Sequence, residues 1–455
     1  MTQMDLLEKY NVSVPRYTSY PPANYFHAVE ESAYIEAVKE SNRVGRRNLS
    51  FYLHIPFCRR LCHYCGCNSY IMPDQGTVDQ YVKALHLEIE RIASLLDRNR
   101  PVSQIHYGGG TPTSLPIPIL HELNDHILSL FPCIEGKEIS IECHPGYLTH
   151  ADWEALTKGH FNRFSIGIQD FDEKVLSCVG RQPAALPLQE IMGILRGAGA
   201  SINMDFLYGL PYQTPESFME SIEKAIALRP DRLVTFGYGH VPWVFKRQLI
   251  LEKHGLPSGE VKKRMYEQAA ERLREAGYKS IGLDHFVLPS DELHVAYEEG
   301  LLHRNFQGYC TLRTTGQVYA LGVTGISQLD GSYAQNTKDI SEYIHAVEAG
   351  ELPIRKGYFL TAEERIVREV IERLMCNYRI SWEELSETLA IPVPEIQKAI
   401  RYDESVLDEM AADGILRREN EGIVITEAGH PFVRNVAAAF DPLMQATTKQ
   451  FSKPI

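Results

Sequence analysis

Short runs of β-branched and aromatic residues recur along the first two thirds of the chain and alternate with stretches of helical periodicity. The runs that are typical of strands lie at 51–55, 104–107, 138–142, 163–168, 202–208, 232–237 and 279–284. After the first run, three- and four-residue steps predict one apolar helix face made of Val82, Leu85, Ile89, Ile92 and Leu96. This alternation indicates βα units and a parallel sheet. Because six or seven units are too few for a closed eight-stranded barrel, we predict an α/β fold with a partial (βα)6-type parallel barrel.

The pattern changes on both sides of these units and predicts four parts. Residues 1–45 form an N-terminal arm without a clear period. Its stretch Pro15–Pro22 favours an extended segment over a surface rather than a core element, either as a packing strap or as a ligand contact. The partial barrel occupies 46–290, and a bridging region follows at 291–355. Residues 356–455 are mainly helical, with a predicted hairpin at 414–426 that is typical of a winged-helix-like domain.

Composition and charge narrow the classes of partner. The chain has 455 residues, 44% of them hydrophobic and 23% charged, which is typical of a soluble protein with one large domain and appendages. Its net charge of -13 argues against a nucleic-acid partner. The winged-helix-like part is itself acidic, so we interpret it as a lid or docking module. No apolar run reaches the length of a membrane span, and the N-terminus lacks a signal-peptide pattern. We therefore expect a cytoplasmic protein without a membrane partner.

Four of the nine cysteines, Cys58, Cys62, Cys65 and Cys67, lie within ten residues directly after the first predicted strand. Disulfides are disfavoured because cysteines this crowded would be strained. A structural zinc site usually divides its ligands into two separated pairs, so it is the minor alternative. An iron–sulfur cluster needs several thiolates from one loop, which this loop supplies. With the spacing C-x3-C-x2-C, three thiolates would leave one iron of a four-iron cluster open to a small molecule.

Polar residues and glycines gather where the predicted strands end, at the edge where parallel βα folds place their active sites. They are Gly108–Thr113, Glu142, Gln169, Asp205, Tyr238, His240, Asp284 and His285. Each alone could be a tight turn or a solvated rim residue, but their common position predicts a site. The N–H groups of the glycine-rich turn could bind a carboxylate. Acidic and amide groups suit ribose hydroxyls.

The cysteine spacing resembles the signature of the radical S-adenosylmethionine (SAM) superfamily. The stretches Pro15–Pro21, His54–Cys58, Cys65–Cys67, Gly108–Thr113 and Arg304–Tyr309 extend this likeness over nearly the whole chain. Together they resemble the family of oxygen-independent coproporphyrinogen III dehydrogenases. The resemblance implies oxidative decarboxylation of two propionates of coproporphyrinogen III to vinyls, giving protoporphyrinogen IX in haem synthesis. It also implies a [4Fe-4S] cluster, one or two SAM molecules, and an electron donor and acceptor of unknown identity. We expect a monomer.

The resemblance assigns roles residue by residue. Cys58, Cys62 and Cys65 would hold the cluster, whereas Cys67 is the family's additional cysteine and, with Tyr52, a catalytic candidate. Positions around the first SAM match Tyr52, Gly109, Gly110, Thr111, Glu142, Gln169, Arg181 and Asp205. Positions proposed for a second SAM match Gly239, Phe306, Gln307 and Ile326, of which Phe306 and Ile326 could equally be packing residues. Because an acidic protein needs local cations to bind propionates, we select Arg16 and Arg313 as substrate contacts.

Two stretches depart from the family pattern, and we expect both near the pocket. Relatives commonly have Glu-x-Asp-Pro where this chain has Glu142-Cys143-His144-Pro145, and an Asp-Thr-Asp run where it has Cys310–Gln317. The alternatives are a haem-carrier branch and a branch that transfers methyl groups or opens the haem ring. The arm stretch Pro15–Pro21 and Cys67 favour the dehydrogenase. A purely structural or regulatory role for the winged-helix-like part ranks last.

Overall fold

The computed structural model describes residue 6, residues 9–400 and 402–444, and residues 447, 449 and 451. The strands are β1 (His27–Ala28), β2 (Leu49–Ile55), β3 (Phe57–Cys58), β4 (Tyr70–Ile71), β5 (Val102–Gly109), β6 (Cys133–Cys143), β7 (Arg163–Gln169), β8 (Ser201–Tyr208), β9 (Arg232–Gly237), β10 (Lys279–Ile281), β11 (His285–Val287), β12 (Leu302–Asn305), β13 (Gly308–Thr311), β14 (Gln317–Leu321), β15 (Ile326–Leu329), β16 (Ser332–Asn336), β17 (Ile354–Phe359), β18 (Arg379–Ser381), β19 (Leu416–Glu419) and β20 (Gly422–Ile425).

The α-helices are α1 (Glu31–Glu40), α2 (Gln75–Ala93), α3 (Ile117–Leu130), α4 (His150–Leu156), α5 (Glu173–Cys178), α6 (Leu188–Gly197), α7 (Pro215–Leu228), α8 (Leu249–Glu252), α9 (Gly259–Glu275), α10 (Glu292–Glu298), α11 (Ile340–Glu348), α12 (Ala362–Asn377), α13 (Trp382–Leu389), α14 (Val393–Ile400), α15 (Glu404–Ala412) and α16 (Val433–Ala439). On α2 the predicted apolar positions Val82, Leu85, Ile89 and Ile92 are buried, whereas Leu96 is buried beyond the end of the helix.

A sheet of 13 strands, in the order β1-β17-β16-β15-β14-β2-β5-β6-β7-β8-β9-β11-β10, forms the centre of the molecule. Strands β2, β5, β6, β7, β8 and β9 are parallel to one another. These six strands coincide with the first six predicted runs, and the α/β class with a partial parallel barrel is confirmed. Helices between consecutive strands supply the crossovers that parallel pairing requires.

The two faces of this parallel block differ in polarity. Along β7, Phe164, Ile166 and Ile168 are buried, while the intervening residues are half-buried and mostly polar. The same alternation continues along β8. Because successive side chains of a strand point to opposite faces, one face packs into the apolar core and the other is polar. We call the second the polar face of the sheet.

The seventh predicted strand is wrong as a parallel strand. Residues 279–284 form β10 and the turn that leads to β11, and β11 pairs antiparallel with both β10 and β9. Gly282 has a φ of +59°, and a Cβ there would lie 2.0 Å from Tyr309 Cζ. A strand that reverses through so short a turn can pair only antiparallel with its predecessor. Asp284 is therefore in a turn rather than at the end of a barrel strand.

The segments outside the barrel units also join the core. Within the predicted bridging region, β14 pairs parallel with β2, and β15 and β16 extend the same sheet antiparallel. In the arm, β1 pairs with β17. The expectation that the arm lies outside the core is wrong for Tyr17 and Tyr20, which are buried in the apolar core of the C-terminal helices. Tyr17 OH donates to Asp441 Oδ2 over 2.9 Å.

The C-terminal part combines helices α12 to α16 with a small sheet in the order β18-β20-β19. The predicted hairpin is confirmed, since β19 and β20 pair antiparallel with Glu419 opposite Gly422. Between 361 and 455 the sequence has 17 acidic and 11 basic residues, a net charge of −6. None of the helices in the described part of the chain combines the length and apolar character that a membrane-spanning segment needs.

Candidate active site

The cysteine loop, residues 58–69, is fixed at both ends by a short parallel pairing. Phe57 lies opposite Tyr70 and Cys58 opposite Ile71 in the two-stranded sheet of β3 and β4. Tyr70 N donates to Pro56 O over 2.8 Å, and Met72 N donates to Cys58 O over 2.9 Å. The loop therefore leaves and returns at one point, directly beyond the carboxyl end of β2.

Each of the three predicted cluster ligands has a hydrogen-bond donor beside its sulfur. Thr111 Oγ1 lies 3.5 Å from Cys58 Sγ, and Arg181 Nη1 donates to Cys62 Sγ over 3.7 Å. Cys67 N donates to Cys65 Sγ over 3.4 Å. Donors of this kind stabilise thiolates and tune iron–sulfur potentials.

The thiols of the loop are free. Burial raises the pKa of Cys58, and the neighbouring charges of Cys65 and Cys62 raise it further. A hydrogen bond from Cys67 lowers the pKa of Cys65 to about 6, and the same bond raises the pKa of Cys67. Thiolates carried by one short loop repel one another unless a cationic centre binds them. The donor set of Cys58, Cys62 and Cys65 therefore fits an iron–sulfur cluster, with Cys67 as a neutral neighbour.

The glycine-rich turn lies against the cysteine loop. Its glycines have a different role from the predicted one, which was to bind a carboxylate. Gly110 N donates to Ile55 O over 2.8 Å and Thr111 N to Phe57 O over 2.9 Å. The prediction that this turn offers its N–H groups to a carboxylate is therefore wrong for these two. A Cβ on Gly110 would lie 2.7 Å from Pro56 O. Gly109 has a φ of +116°, and a Cβ there would meet His54 at 2.7 Å. The glycines allow β5 to approach β2 closely.

A chain of polar contacts runs across the polar face at the carboxyl ends of β2, β5 and β6. Tyr52 OH lies 3.0 Å from His54 Nδ1, whose ring also contacts Asn68 O at 3.0 Å. Tyr52 stacks on His106 with ring centres 5.8 Å apart. His106 Nε2 in turn lies 3.3 Å from Glu142 Oε1. These contacts connect the end of the cysteine loop to the Glu142 carboxylate, whose side chain is 44% exposed.

Asp205 continues the same polar face on β8. Its carboxylate accepts hydrogen bonds from Ser165 Oγ and Asn203 Nδ2, both over 2.8 Å. Burial raises the pKa of Asp205 to about 6, and these two hydrogen bonds offset part of the shift. A carboxylate with remaining acceptor capacity is suited to the hydroxyls of a ribose.

A cavity of about 720 Å³ opens at these strand ends, a size typical of small-molecule sites. Its lining joins both sets of predicted cofactor residues to Cys67. The lining residues are Tyr52, His54, Gly66, Cys67, Asn68, Ser69, Tyr70, Gly109, Glu142, Phe245, Arg247, Phe306, Gln307, Thr324, Ile326, Gln335 and Lys338. Phe306 is also held by packing, with its ring 6.4 Å from Phe26 and 6.1 Å from Tyr333.

The cavity lining does not include four further predicted residues, which are Arg181, Gln169, Gly239 and Arg16. Arg181 donates through Nη1 to Tyr64 OH over 3.2 Å and through Nη2 to Gly167 O, next to the Cys62 sulfur. Gln169 ends β7 with a φ of +70°. A Cβ on Gly239 would meet nothing closer than Arg16 Nη2 at 4.0 Å. Arg16 is exposed and lies beyond the carboxyl end of β9.

The structure does not bring Arg313 to the cavity. Arg313 Nη2 donates to Glu292 Oε2 over 2.9 Å and Nη1 to Gly136 O over 3.3 Å. Asn48, which precedes β2, donates to Arg313 O over 3.1 Å. At about 3.3 Å per residue, the length of β2 separates this end from the cavity by about 20 Å. The expectation that 310–317 lies near the pocket is wrong.

The departure at His144 has a structural role. His144 Nδ1 accepts a hydrogen bond from Gly146 N over 3.1 Å and caps the 3-10 helix Pro145–Tyr147. An aspartate at this position could accept the same N–H. Burial, followed by the charge of Arg181, lowers the pKa of His144 to about 3, so the ring is neutral.

Sequence reasoning did not assign His106, His54 or Arg247 to the site. Arg247 Nε donates to Cys65 O over 3.2 Å, and Arg247 also lines the cavity. One sequence feature could have identified His54 and His106. Both alternate with apolar residues inside β2 and β5. Parallel strands buried on both faces usually read as continuous apolar runs, so polar residues at every second position indicate an open face.

Comparisons with known proteins agree with this geometry. The profile of the radical SAM superfamily matches residues 52–225. An oxygen-independent coproporphyrinogen III oxidase from Synechocystis is 39% identical over 99% of this chain and 97% of its own length. A protein of the same name from Pseudomonas aeruginosa is also 39% identical, over 99% of this chain and 98% of its own.

One solved structure covers almost the whole fold. Coproporphyrinogen III oxidase from Escherichia coli, described as a radical SAM enzyme, superposes with a TM-score of 0.87 at 36% sequence identity. The match covers 96% of this chain and 98% of that protein. The likeness therefore includes the arm and the C-terminal part as well as the barrel.

Proposed function

The chain belongs to the family of oxygen-independent coproporphyrinogen III oxidases within the radical SAM superfamily, and we propose that it oxidatively decarboxylates two propionates of coproporphyrinogen III. The product is protoporphyrinogen IX, a precursor of haem. For each propionate, a hydrogen atom leaves the β-carbon, and one electron and carbon dioxide follow to give a vinyl group. The observation that carries the proposal is the single cavity that joins the cysteine loop, Glu142 and the hairpin residues Phe306 and Gln307.

Membership of the superfamily implies a [4Fe-4S] cluster and SAM as cofactors. We assign the cluster to Cys58, Cys62 and Cys65. When bound, cluster and SAM together supply the one-electron chemistry that removes hydrogen from an unactivated carbon. Arg181 and Thr111 hold the Cys62 and Cys58 sulfurs through the contacts described above. Cys67 lies outside the ligand set and lines the cavity.

The protein's acidic residues position SAM. Glu142 and Asp205 offer carboxylate oxygens to ribose hydroxyls, and Tyr52 is held in place by His54 and His106. Gln169 adds an amide at the end of β7. A second SAM molecule would lie against Phe306, Gln307 and Ile326, which line the same cavity. Equilibrium binding of labelled SAM to the holoenzyme should then saturate at two molecules per chain, whereas saturation at one would remove the second position.

The substrate's carboxylates require cations at the other side of the cavity, since Glu142 and Asp205 would repel them. Arg16 is our candidate, because the arm carries it to the carboxyl end of β9 beside Gly239. Arg304 Nη1 donates to Arg16 O over 2.8 Å and fixes this part of the arm. The propionates would therefore face the arm, away from the carboxylates of β6 and β8.

The proposal is tested by product analysis. Anaerobically reconstituted protein is incubated with SAM, a chemical reductant and coproporphyrinogen III, and products are identified by mass. We expect loss of two carboxyl groups and equal formation of 5′-deoxyadenosine. Unchanged substrate in the presence of an intact cluster would contradict the proposal. A methylated or ring-opened product would instead support the alternative branches, which the full-length relatives named as oxidases do not favour.

A further inference from the structure

The segment that follows β9, residues 241–252, packs its inner side against the cysteine loop. Gln248 Nε2 donates to Tyr64 O over 2.9 Å, and Arg247 Nε donates to Cys65 O over 3.2 Å. The Phe245 ring lies against Gly66, where a Cβ would be 3.4 Å from Phe245 Cε2. Any molecule bound on the outer side of this segment is therefore one polypeptide layer away from the cysteine thiols.

The outer side of this segment is unusually apolar. Trp243 is 75% exposed and Val244 60%, and Leu249 and Ile250 are also exposed. None of these four side chains lines the cavity. The other two tryptophans of the chain, Trp153 and Trp382, are buried. Exposed tryptophans beside aliphatic side chains mark interaction sites, since aromatic residues are enriched at the centres of protein interfaces.

The charge around this apolar surface is positive, in contrast to the rest of the chain. Residues 56–71 and 241–252 include Arg59, Arg60, Lys246 and Arg247, while the whole chain has a net charge of -13. Their one carboxylate, Glu252, lies 2.9 Å from His240 Nε2. Arg59 and Arg60 lie on the cysteine loop, which this segment contacts, and both are exposed. Lys246 lies on the segment itself and is also exposed. Among the described residues, no carboxylate lies within ion-pair distance of any of the four. This is the cationic rim that a negatively charged partner would complement.

We propose that Trp243, Val244, Leu249 and Ile250, with the rim of Arg59, Arg60 and Lys246, form a docking surface for a small acidic one-electron carrier protein. The inference rests on the proposed function, because radical chemistry on the cysteine loop requires electrons delivered one at a time. The carrier is oxidised by one electron, and the cluster held by the loop is reduced by that electron. No further reactant is consumed.

Charge and position favour this occupant over two others. Coproporphyrinogen III would bind in the cavity, whose lining excludes the four exposed apolar side chains. A second copy of the chain in a symmetric dimer would place the same cationic rim opposite itself, and like charges across an interface are costly. An acidic carrier protein would complement the cationic rim and could also pack against the four apolar side chains.

The test measures binding of the holoenzyme to an acidic flavodoxin by calorimetry at low and high salt. The double variant Arg60→Glu/Lys246→Glu should weaken binding at least tenfold, and Trp243→Ala should do so by about tenfold. Wild-type affinity should fall as salt is raised, since salt screens exposed charges. The matched control is Lys279→Glu, an exposed lysine on β10 at the amino end of the sheet, which should stay within twofold of wild type.

A second readout separates this inference from the proposed function. With dithionite as reductant, the variants should form product at the wild-type rate, and the reduced flavodoxin should support turnover of wild type but not of the double variant. Equal flavodoxin affinity in wild type and double variant would overturn the docking surface. A raised KM for coproporphyrinogen III with dithionite would also overturn it, since the patch would then serve substrate entry. No product from wild type with either reductant would instead contradict the proposed function.

Discussion

The polar face of the sheet carries charged side chains at both ends of its strands, and the two ends differ in pairing. At the amino end, Arg163 Nε contacts Glu138 Oε2 at 2.6 Å, and Arg232 Nε contacts Asp291 Oδ2 at 2.9 Å. At the carboxyl end, neither Glu142 nor Asp205 has an arginine or lysine partner among the described residues. The charges at the amino end are paired with one another, whereas the carboxylates at the carboxyl end can still accept hydrogen bonds from a ligand.

The pKa values of two carboxylates record the same difference. Burial alone would raise the pKa of Glu138 at the amino end, but Arg163 and Arg232 outweigh it and hold the pKa well below its ordinary value. Burial raises the pKa of Asp205 at the carboxyl end to about 6, because it outweighs the hydrogen bonds from Ser165 and Asn203. Paired charges stabilise the fold, while an unpaired buried acid costs stability and is typical of functional sites.

The largest effect should come from the cysteine loop. Cys58→Ser, Cys62→Ser and Cys65→Ser should each lose the cluster and all product, because each removes one thiolate of a three-thiolate set. Cys67→Ser should keep the cluster yet impair vinyl formation, since Cys67 lies at the cavity rather than in the ligand set. Iron content, SAM cleavage and product are measured on all four variants. Loss of iron in Cys67→Ser equal to that in Cys58→Ser would contradict this assignment.

The second effect should be on stability and should be confined to the amino end. Arg163→Met removes the ion-pair partner of Glu138, whose side chain is only 12% exposed, and the loss of one partner of a buried pair typically costs about 3–5 kcal/mol. Chemical denaturation measures the loss. Folded protein should still bind iron and SAM as wild type does. If this variant lost SAM binding while remaining folded, the amino end would also contribute to ligand binding, and the proposed division of roles between the two ends would be wrong.

The third effect has the opposite sign at the carboxyl end. The raised pKa of Asp205 means that this carboxyl ionises first in the unfolded chain, so its contribution to stability falls as pH rises from about 4 to 6 and is constant above that. Asp205→Asn removes this fall and should be about 1–2 kcal/mol more stable above pH 6, since Asn keeps one acceptor oxygen. Unfolding across pH 4–8 checks the sign, and SAM affinity should decrease. A variant less stable than wild type at pH 7 would indicate a structural role for the carboxylate.

The smallest effect should come from Arg313→Ala. Arg313 has a half-exposed side chain at the amino end and an ion pair with Glu292, and such pairs contribute less than about 1 kcal/mol. We expect wild-type KM for coproporphyrinogen III, whereas Arg16→Ala should raise KM clearly. Steady-state kinetics on both variants compare the two cations directly. Equal KM values in the two variants would show that the propionates bind elsewhere than at the arm.

Local patterns in the sequence were enough to locate the six parallel strands and the cysteine loop. The family resemblance supplied part of the cavity lining, such as Glu142 and Phe306, but it did not supply His54 or Arg247. Features that depend on pairing between distant segments were not accessible in the same way. The strand expected at 279–284 reverses because Gly282 adopts a left-handed turn against Tyr309. Arg313 follows a hairpin whose direction places it at the amino end, which no local pattern reveals. The N–H of Gly110 was assigned to a ligand because its partner, Ile55 O, lies far away in sequence.

A measurement on the metal centre is the most direct test that the carboxyl ends of the parallel strands form an open ligand site. Wild-type protein is reconstituted anaerobically, its metal content is counted, and the reduced centre is examined by electron paramagnetic resonance with and without SAM. The account predicts about four irons per chain and a spectrum that changes when SAM is added, because three thiolates leave one iron open. Tightly bound zinc without iron uptake, or an iron centre whose spectrum is unaffected by SAM, would contradict it.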